Sequence, residues 1–408
     1  MQLTDLEKRM LDGEYGEAAS LAMSVLVELG RSFDAEGLVE ITASHIQGMY
    51  MCLHDAGLEW LEKLAALGGR VRVPSTSNPS SICFAPDCGV DYPQDWIEKQ
   101  YRFKNALVSL GVQPTWTCTP YFVGNIPRVG QNVAFAESSA VSFANSVLGA
   151  RTERMGAGTE ICAALTGRNI GSGLYLDENR IGTALVDVQA GIKSTLDYFS
   201  IGYVVGKELS DEVPVIKGIP SGTTGWDELK SLGAAAAVSG NIALYHVLGV
   251  TPEAIHRDPF QGRKPKQVIT ITDDDLRAVE EELTTAASGA DPDVVAVGCP
   301  HYSVPQMIYL SDLLKNRKVK PGVRFWVHTT LDACQMIKDM GRMEIFERAG
   351  VTVLPQSCMN IAPLHHYKVN CIMTDSAKYG YYLPSEYPGA SMIYAPTEQC
   401  VLRATKVV

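Results

Sequence analysis

Three cysteines in this chain each close an apolar, strand-like run and open a loop: Cys118 in WTCTPY, Cys299 in VAVGCPH and Cys358 in VTVLPQSCM. Thiolates are soft ligands that suit iron–sulfur clusters, in which solvent exposure and hydrogen bonds to sulfur tune the iron. Three thiolates on a cubane leave one iron without a protein ligand, and that iron is a Lewis acid free to take a hydroxyl or water. A plainer reading is that free cysteines pack into cores as small apolar groups, and this chain has ten. A zinc site built from Cys299, His301 and Cys358 is a third reading of the same residues. The other seven, Cys52, Cys83, Cys88, Cys162, Cys334, Cys371 and Cys400, read as structural, with Cys83 and Cys88 on one loop. There is no CxxC pair, so neither a zinc ribbon nor a thioredoxin-type pair is expected.

Other reactive side chains gather beside glycines. LYLDENR sets Asp177, Glu178 and Arg180 behind the glycines of GSG. An acid cluster with one Arg could order a substrate carboxylate and a proton-transfer group, and a solvated turn is the alternative. The Gly-rich turn after VSFANSVLGA carries Arg151, Glu153 and Arg154. His365 and His366 follow Pro363 and read as a surface loop. GSG is too short for a dinucleotide fingerprint, GCPHYS lacks GxGxxG, and no lysine-bearing phosphate loop is present, so nucleotide chemistry is not expected.

The elements that must position these groups follow from periodicity. Ala18, Leu21, Ala22, Val25 and Leu29 repeat at helical spacing, with Gly30 as a stop, and a second helix is expected from about Ala35 towards His54. RVRVPSTSNPSSICF reads as a strand entering a polar loop, 93–110 as a helix, and VQPTWTC as a strand delivering Cys118. Helical spacing returns in the middle of AFAESSAVSFANSVLGA. Between 181 and 220, TALVDV, IGYVVG and VPVIKG read as strands, and helices resume near Asp227. The acidic run 273–282 precedes a loop that offers a domain boundary near 285. This predicts a region 1–285 of two interleaved α/β lobes and a C-terminal domain 286–408.

The C-terminal part alternates most clearly: DVVAVGC, VRFWVHTT, VTVLPQSC, VNCIMTDS and ASMIYAP as strands, with helical stretches at 304–315 and 331–349 between the first three. That order predicts a doubly wound, mainly parallel α/β sheet. Ligands of such sheets sit at the carboxyl ends of the strands. Those ends carry Cys299 with His301, Thr329 with Thr330, Cys358, and Ser376 with Lys378.

At 408 residues the chain exceeds one hydrophobic core. A formal net charge of -11 without clustered Lys and Arg argues against a nucleic-acid footprint, so any anion site must be local. MQLTDLEKRMLDGEYG has no apolar core, so a cytoplasmic protein without a secretory signal is expected. The Ala- and Gly-rich segment 231–250 reads as a buried helix, and no membrane partner is expected.

With these residues in view, the chain resembles the large subunit of the aconitase X family, a divergent branch of the aconitase superfamily. The resemblance runs through YFVGNIPRVGQ, AFAESSAVSFANSVLGARTER, AALTGR, LYLDENR, LKSLGAAAAVSGNIALYHVLGVTPEA, VGCPH, SCMNIAPL and TDSAKY, covering nearly the whole chain. It implies an aconitase-like α/β fold and an iron–sulfur hydro-lyase with cluster ligands at Cys118, Cys299 and Cys358. A 4Fe–4S cluster is expected, with 3Fe–4S and 2Fe–2S forms as alternatives. It also implies a separate small subunit of swivel-domain type that supplies a proton-transfer serine. The family chemistry is elimination of water from a β-hydroxy carboxylate: cis-3-hydroxy-L-proline in bacterial members, mevalonate 5-phosphate in archaeal ones.

Residue type then assigns roles. Arg151 and Lys378 would hold carboxylate, His301 would orient the cluster region, and Glu178 or Ser376 would assist proton transfer. Asn125, Glu137, Ser138, Ser139, Glu153 and Asp177 complete the expected site. The chain departs from the family pattern in TERMGAGTE, where Glu153 stands at a common Asn and Glu160 follows, and also in TDSAKY and PQSCM. An added carboxylate there favours an ammonium-bearing substrate such as cis-3-hydroxy-L-proline over a phosphorylated one. Two readings from other classes remain: a non-catalytic cluster-binding sensor of iron or oxygen, and a zinc hydrolase.

Overall fold

The structure, a computed structural model, describes residues 1–85, 88–363 and 367–408. His365 and His366 lie outside the described residues. Three parallel sheets organise the chain, each with helices packed against it.

The first sheet is short, with strand Ser44–Ile46 between Ser75–Ser77 and Ala134–Phe135. Helices Glu17–Ser32, Tyr50–Ala66 and Gln94–Ser109 bury Leu26, Leu61, Leu64, Phe103 and Leu107 against it. Three expectations fail here. Residues 35–54 do not form one helix; Leu38–Glu40 and Ser44–Ile46 are strands, and the helix begins at Tyr50. Parallel pairing on both sides of Ser44–Ile46 outweighs local propensity. Gly30 does not stop its helix, which continues to Ser32. VQPTWTC is no ladder strand: it crosses the sheet edge irregularly, with Thr117 N–H donating to Ser77 O at 2.9 Å and Trp116 at φ +46°.

The second sheet runs His246–Val247, Pro214–Lys217, Ala184–Val188, Gln267–Ile271. IGYVVG is not a strand of it but lies inside helix Thr195–Leu209. A capping box starts that helix, with Asp197 accepting from Ser194 N–H at 2.7 Å. The glycines that suggest a strand serve helix packing instead. A Cβ on Gly202 would strike the backbone of Leu232 in helix Trp226–Gly240, and one on Gly240 would strike Gly206.

The third sheet has the order Thr352–Pro355, Arg324–Thr329, Val294–Tyr302, Cys371–Thr374, Ser391–Tyr394, all parallel. Val295 and Val297 bury into one core while Val294 and Ala296 bury into another, so helices cover both faces. The expected 331–349 helix is two, Leu331–Asp339 and Met343–Ala349, divided at Gly341, which has φ +68°. The chain adds strands outward on one side of Val294–Tyr302 and then on the other. The switch point lies between that strand and Cys371–Thr374, where a ligand crevice opens. Among the described residues no helix is long and apolar enough to cross a membrane.

Candidate functional site

Cys299 and the residues after Thr374 face each other across that switch point. Strand Val294–Tyr302 loses register between Val297 and Tyr302, so Cys299 lies on an irregular stretch within the strand rather than at its end. Gly298 permits this with φ +93°. The Cys299 carbonyl accepts a 2.5 Å hydrogen bond from Ser376 Oγ, and Ser376 also caps helix Ala377–Glu386 by accepting from Tyr379 N–H at 3.3 Å. One serine thus ties the thiol's backbone to the helix that carries Lys378.

His301 locks the other two cysteines. Its backbone N–H donates to Cys118 Sγ at 3.3 Å. Its Nε2 lies 2.9 Å from the Ser357 carbonyl, which can only accept, so Nε2 carries the proton. Nδ1 then accepts from the Thr117 hydroxyl at 3.0 Å. Burial holds the ring neutral, with a pKa of about 4. Both nitrogens are committed, which removes His301 from the zinc set. His328, which sequence reasoning missed, donates from Nδ1 to the same Ser357 carbonyl at 2.9 Å. Two imidazoles therefore pin the peptide that precedes Cys358.

Cys118, Cys299 and Cys358 line one cavity of about 520 Å³. The neighbouring Cys299 thiol lowers the pKa of Cys358, while burial and the Cys358 sulfur raise Cys299 well above the ordinary thiol value. Burial pushes Cys118 up to about 12. Among the described residues Ser357 Oγ and Asn360 Oδ1, which flank Cys358, and Nε2 of His328 are buried without a hydrogen-bond partner. Native folds leave few such atoms, and here two flank one thiol while the third is on a ring bonded to the Ser357 carbonyl.

The opposite wall holds an ion pair between Lys378 and Glu137, with Lys378 also 3.3 Å from Ser138 Oγ. Glu137 precedes helix Ser138–Ser146 with φ +78° and accepts from Ser139 N–H at 3.1 Å and Ser139 Oγ at 2.8 Å. Burial alone would raise its pKa. The Lys378 charge and these hydrogen bonds outweigh burial and hold it at about 2. Burial would lower Lys378, and the Glu137 charge more than offsets it.

The remaining expected residues lie elsewhere. Arg151 pairs with the exposed Asp177 and donates to Tyr175 O at 2.8 Å, and Glu178 is exposed beside them; none of the three lines the thiol cavity. Glu153 accepts from Leu174 N–H at 2.9 Å and pairs with Arg154, so its charge is spent on a turn outside that cavity. Asn125 is buried, donating to Ser44 O and Thr76 Oγ1, and joins strands of the first sheet. Arg180 is a structural joint, 3% exposed, held by Glu253, Asn145 and the carbonyls of Leu174 and Ala150. Arg180→Ala strands these groups, and urea denaturation should show a loss of about 3–5 kcal/mol; a loss below about 1 kcal/mol would contradict the assignment.

Gln47, Asn360, Tyr382 and Glu386 line the cavity and were not foreseen. Asn360 lies inside SCMNIAPL and was within reach of motif reading. Gln47 was masked by the helix expected there, and Tyr382 and Glu386 become visible only as neighbours of Lys378 on one helix.

Known proteins agree with this architecture. Family descriptions match in sequence: Aconitase X first domain at residues 1–178, second domain at 182–281 and third domain at 292–406. A phosphomevalonate dehydratase large subunit of Methanothermobacter thermautotrophicus is 40% identical, covering 93% of this chain and 92% of that protein. A cis-3-hydroxy-L-proline dehydratase of Pseudomonas aeruginosa is 33% identical, covering 98% of this chain and 69% of that one. The crystal structure of Thermococcus kodakaraensis aconitase X (holo-form) superposes with a TM-score of 0.89 at 36% identity, over 99% of this chain and 100% of that one. The fold and the residue identities together place this chain in the aconitase X family, as a dehydratase, that is, a hydro-lyase.

Proposed function

We propose that this chain is the large subunit of a two-subunit, cytoplasmic hydro-lyase that holds an iron–sulfur cluster on Cys118, Cys299 and Cys358 and dehydrates a small β-hydroxy carboxylate. The observation that carries it is the meeting of three thiols, from segments 181 and 59 residues apart in sequence, on one cavity. Among the described residues no three His, Cys, Asp or Glu side chains are placed to share a single metal ion. Thiols that line one cavity without converging on one ion suit a multi-iron cluster better than zinc. The donor set and the unpaired atoms around Cys358 fit such a group. When bound, it supplies a Lewis acid for the departing hydroxyl.

The chain's own residues bind and orient. The His301 N–H and the two imidazoles hold the sulfurs in place. Lys378, kept charged by Glu137, and the amides of Gln47 and Asn360 present donors to a substrate carboxylate. The base that takes the proton beside that carboxylate comes from a small swivel-type subunit, a partner suggested by the "large subunit" names of the relatives.

The cavity wall favours an amino-acid substrate. Among the described residues it contains Glu137 and Glu386 but no Arg, and Lys378, paired with Glu137, is the one cation there. With Lys378 serving the carboxylate, a phosphate dianion would meet no further cation among the described residues of this wall, whereas the ammonium of cis-3-hydroxy-L-proline would meet Glu386. The higher identity to phosphomevalonate dehydratase large subunits supports mevalonate 5-phosphate as a second reading. Anaerobic co-purification with the small subunit, iron and sulfide analysis, and assay of both compounds separates them. Faster turnover of hydroxyproline is expected. Preference for mevalonate 5-phosphate overturns the charge argument, and absence of iron after anaerobic reconstitution overturns the cluster.

A further inference from the structure

Cys83 and Cys88 take no part in the site above, yet they are not two isolated core thiols. They lie between strand Ser75–Ser77 and helix Gln94–Ser109, with the Cys83 thiol within hydrogen-bonding reach of the Cys88 sulfur. Both line a separate cavity of about 750 Å³ that shares no wall residue with the cluster cavity, so a small reagent can reach them without passing the active site.

Described residues on either side of the pair contact both the first and the third region. Phe84 packs on Trp116 and Tyr101 of the first region, at 5.1 and 5.3 Å between ring centroids. Beyond Cys88, Asp91 N–H donates to Tyr367 Oη at 2.7 Å, and Tyr367 packs on Trp326 of the third sheet. Upstream, Ser80 forms a parallel bridge with Ser357, the residue before Cys358, and its N–H donates to Gln356 O at 2.8 Å. Pro79 itself lines the cluster cavity. The two thiols therefore lie just downstream of the Ser80–Ser357 bridge, next to the peptide that carries Cys358.

We propose that Cys83 and Cys88 are a redox-active pair that a low-molecular-weight disulfide oxidises reversibly to an intraloop disulfide, and that closing this bond displaces the Ser80–Ser357 bridge and slows turnover. Cys88 is the more exposed of the two thiols, which makes its thiolate the attacking sulfur, while the buried Cys83 stays protonated. Cys88 thiolate attacks the reagent RSSR, forming Cys88–S–S–R and releasing RS⁻. The Cys83 proton passes to that RS⁻, and the resulting Cys83 thiolate attacks the Cys88 sulfur and expels the second RS⁻. This second RS⁻ takes up the proton that Cys88 gave to solvent. Two protein thiols and RSSR become one protein disulfide and two RSH.

The test uses the assembled enzyme, kept anaerobic and treated with glutathione disulfide, followed by alkylation and peptide mass mapping. A linked Cys83–Cys88 peptide that dithiothreitol reverses is expected, and Cys83→Ser should trap glutathione on Cys88. Full alkylation of both thiols in the treated wild type overturns the pair. For the coupling, which rests on the proposed dehydration, turnover should fall several-fold on oxidation and recover on reduction in the wild type but not respond in Cys88→Ser. An equal loss in Cys88→Ser overturns the coupling. The mapping needs no activity, so a failed pair and a failed substrate assignment give different results.

Discussion

Cys358→Ser removes both the visible sulfur-to-iron absorption and the turnover of the anaerobically purified enzyme, while Cys371→Ser and Cys162→Ser keep both. The difference comes from placement rather than residue type. Cys371 and Cys162 are buried in apolar clusters of the third and first regions, where a thiol is a small packing group. Cys358 lies on the shared cavity, where the neighbouring Cys299 thiol lowers its pKa, and follows a carbonyl held by His301 and His328. A hydroxyl keeps nearly the volume but is a poor ligand for iron. Losing a Lewis acid worth several kcal/mol to the departing hydroxyl corresponds to a fall in kcat of ~10³-fold or more. Retention of iron and of more than a tenth of wild-type kcat by Cys358→Ser would remove this thiol from the ligand set.

Lys378→Met and Glu137→Gln each destabilise the protein by about 3–5 kcal/mol, and the double variant recovers much of that stability without recovering activity. Breaking a buried ion pair from one side leaves a charge with no partner, whereas removing both charges leaves none. Both side chains are nearly inaccessible, Lys378 8% and Glu137 16% exposed. Activity stays low in the double variant because both residues line the cavity. Glu137 also sets an acid dependence. Its pKa falls from 4.5 to about 2 on folding. The stabilisation is therefore complete above about pH 4.5 and fades as the pH drops through about 2, at most about 3 kcal/mol. Urea melts of wild type and Glu137→Gln across this window measure it. A stability gap that stays constant from pH 5 to about 2.5 would show that Glu137 carries no depressed pKa.

Several features were legible because they depend on short-range pattern. The five strands of the third sheet stand out as apolar runs, since a strand buried on both faces has no polar alternation to hide it. Their alternation with helices implies the parallel order, and that order implies where a ligand crevice opens. IGYVVG and residues 35–54 misled for one reason: their conformation is chosen by partners far away in the chain. Gly202 lies in a helix because Leu232 packs against it, and Ser44–Ile46 is a strand because Ser75–Ser77 and Ala134–Phe135 flank it. The charged residues near LYLDENR misled differently. Arg151, Glu153 and Arg180 have the right chemistry for a clamp, but their side chains are consumed by Asp177, the Leu174 amide and Glu253.

Taken alone, the sequence determined the thiol ligands as candidates, the doubly wound sheet and, through long ordered segments, the family, because these are written in residue types and local periodicity. Only the tertiary structure decided that the three thiols line one cavity, that His301 is neutral with both nitrogens engaged, and that Lys378 meets Glu137. Each of these depends on long-range pairing, and on the burial that sets which groups are charged and which hydrogen bonds remain to be made.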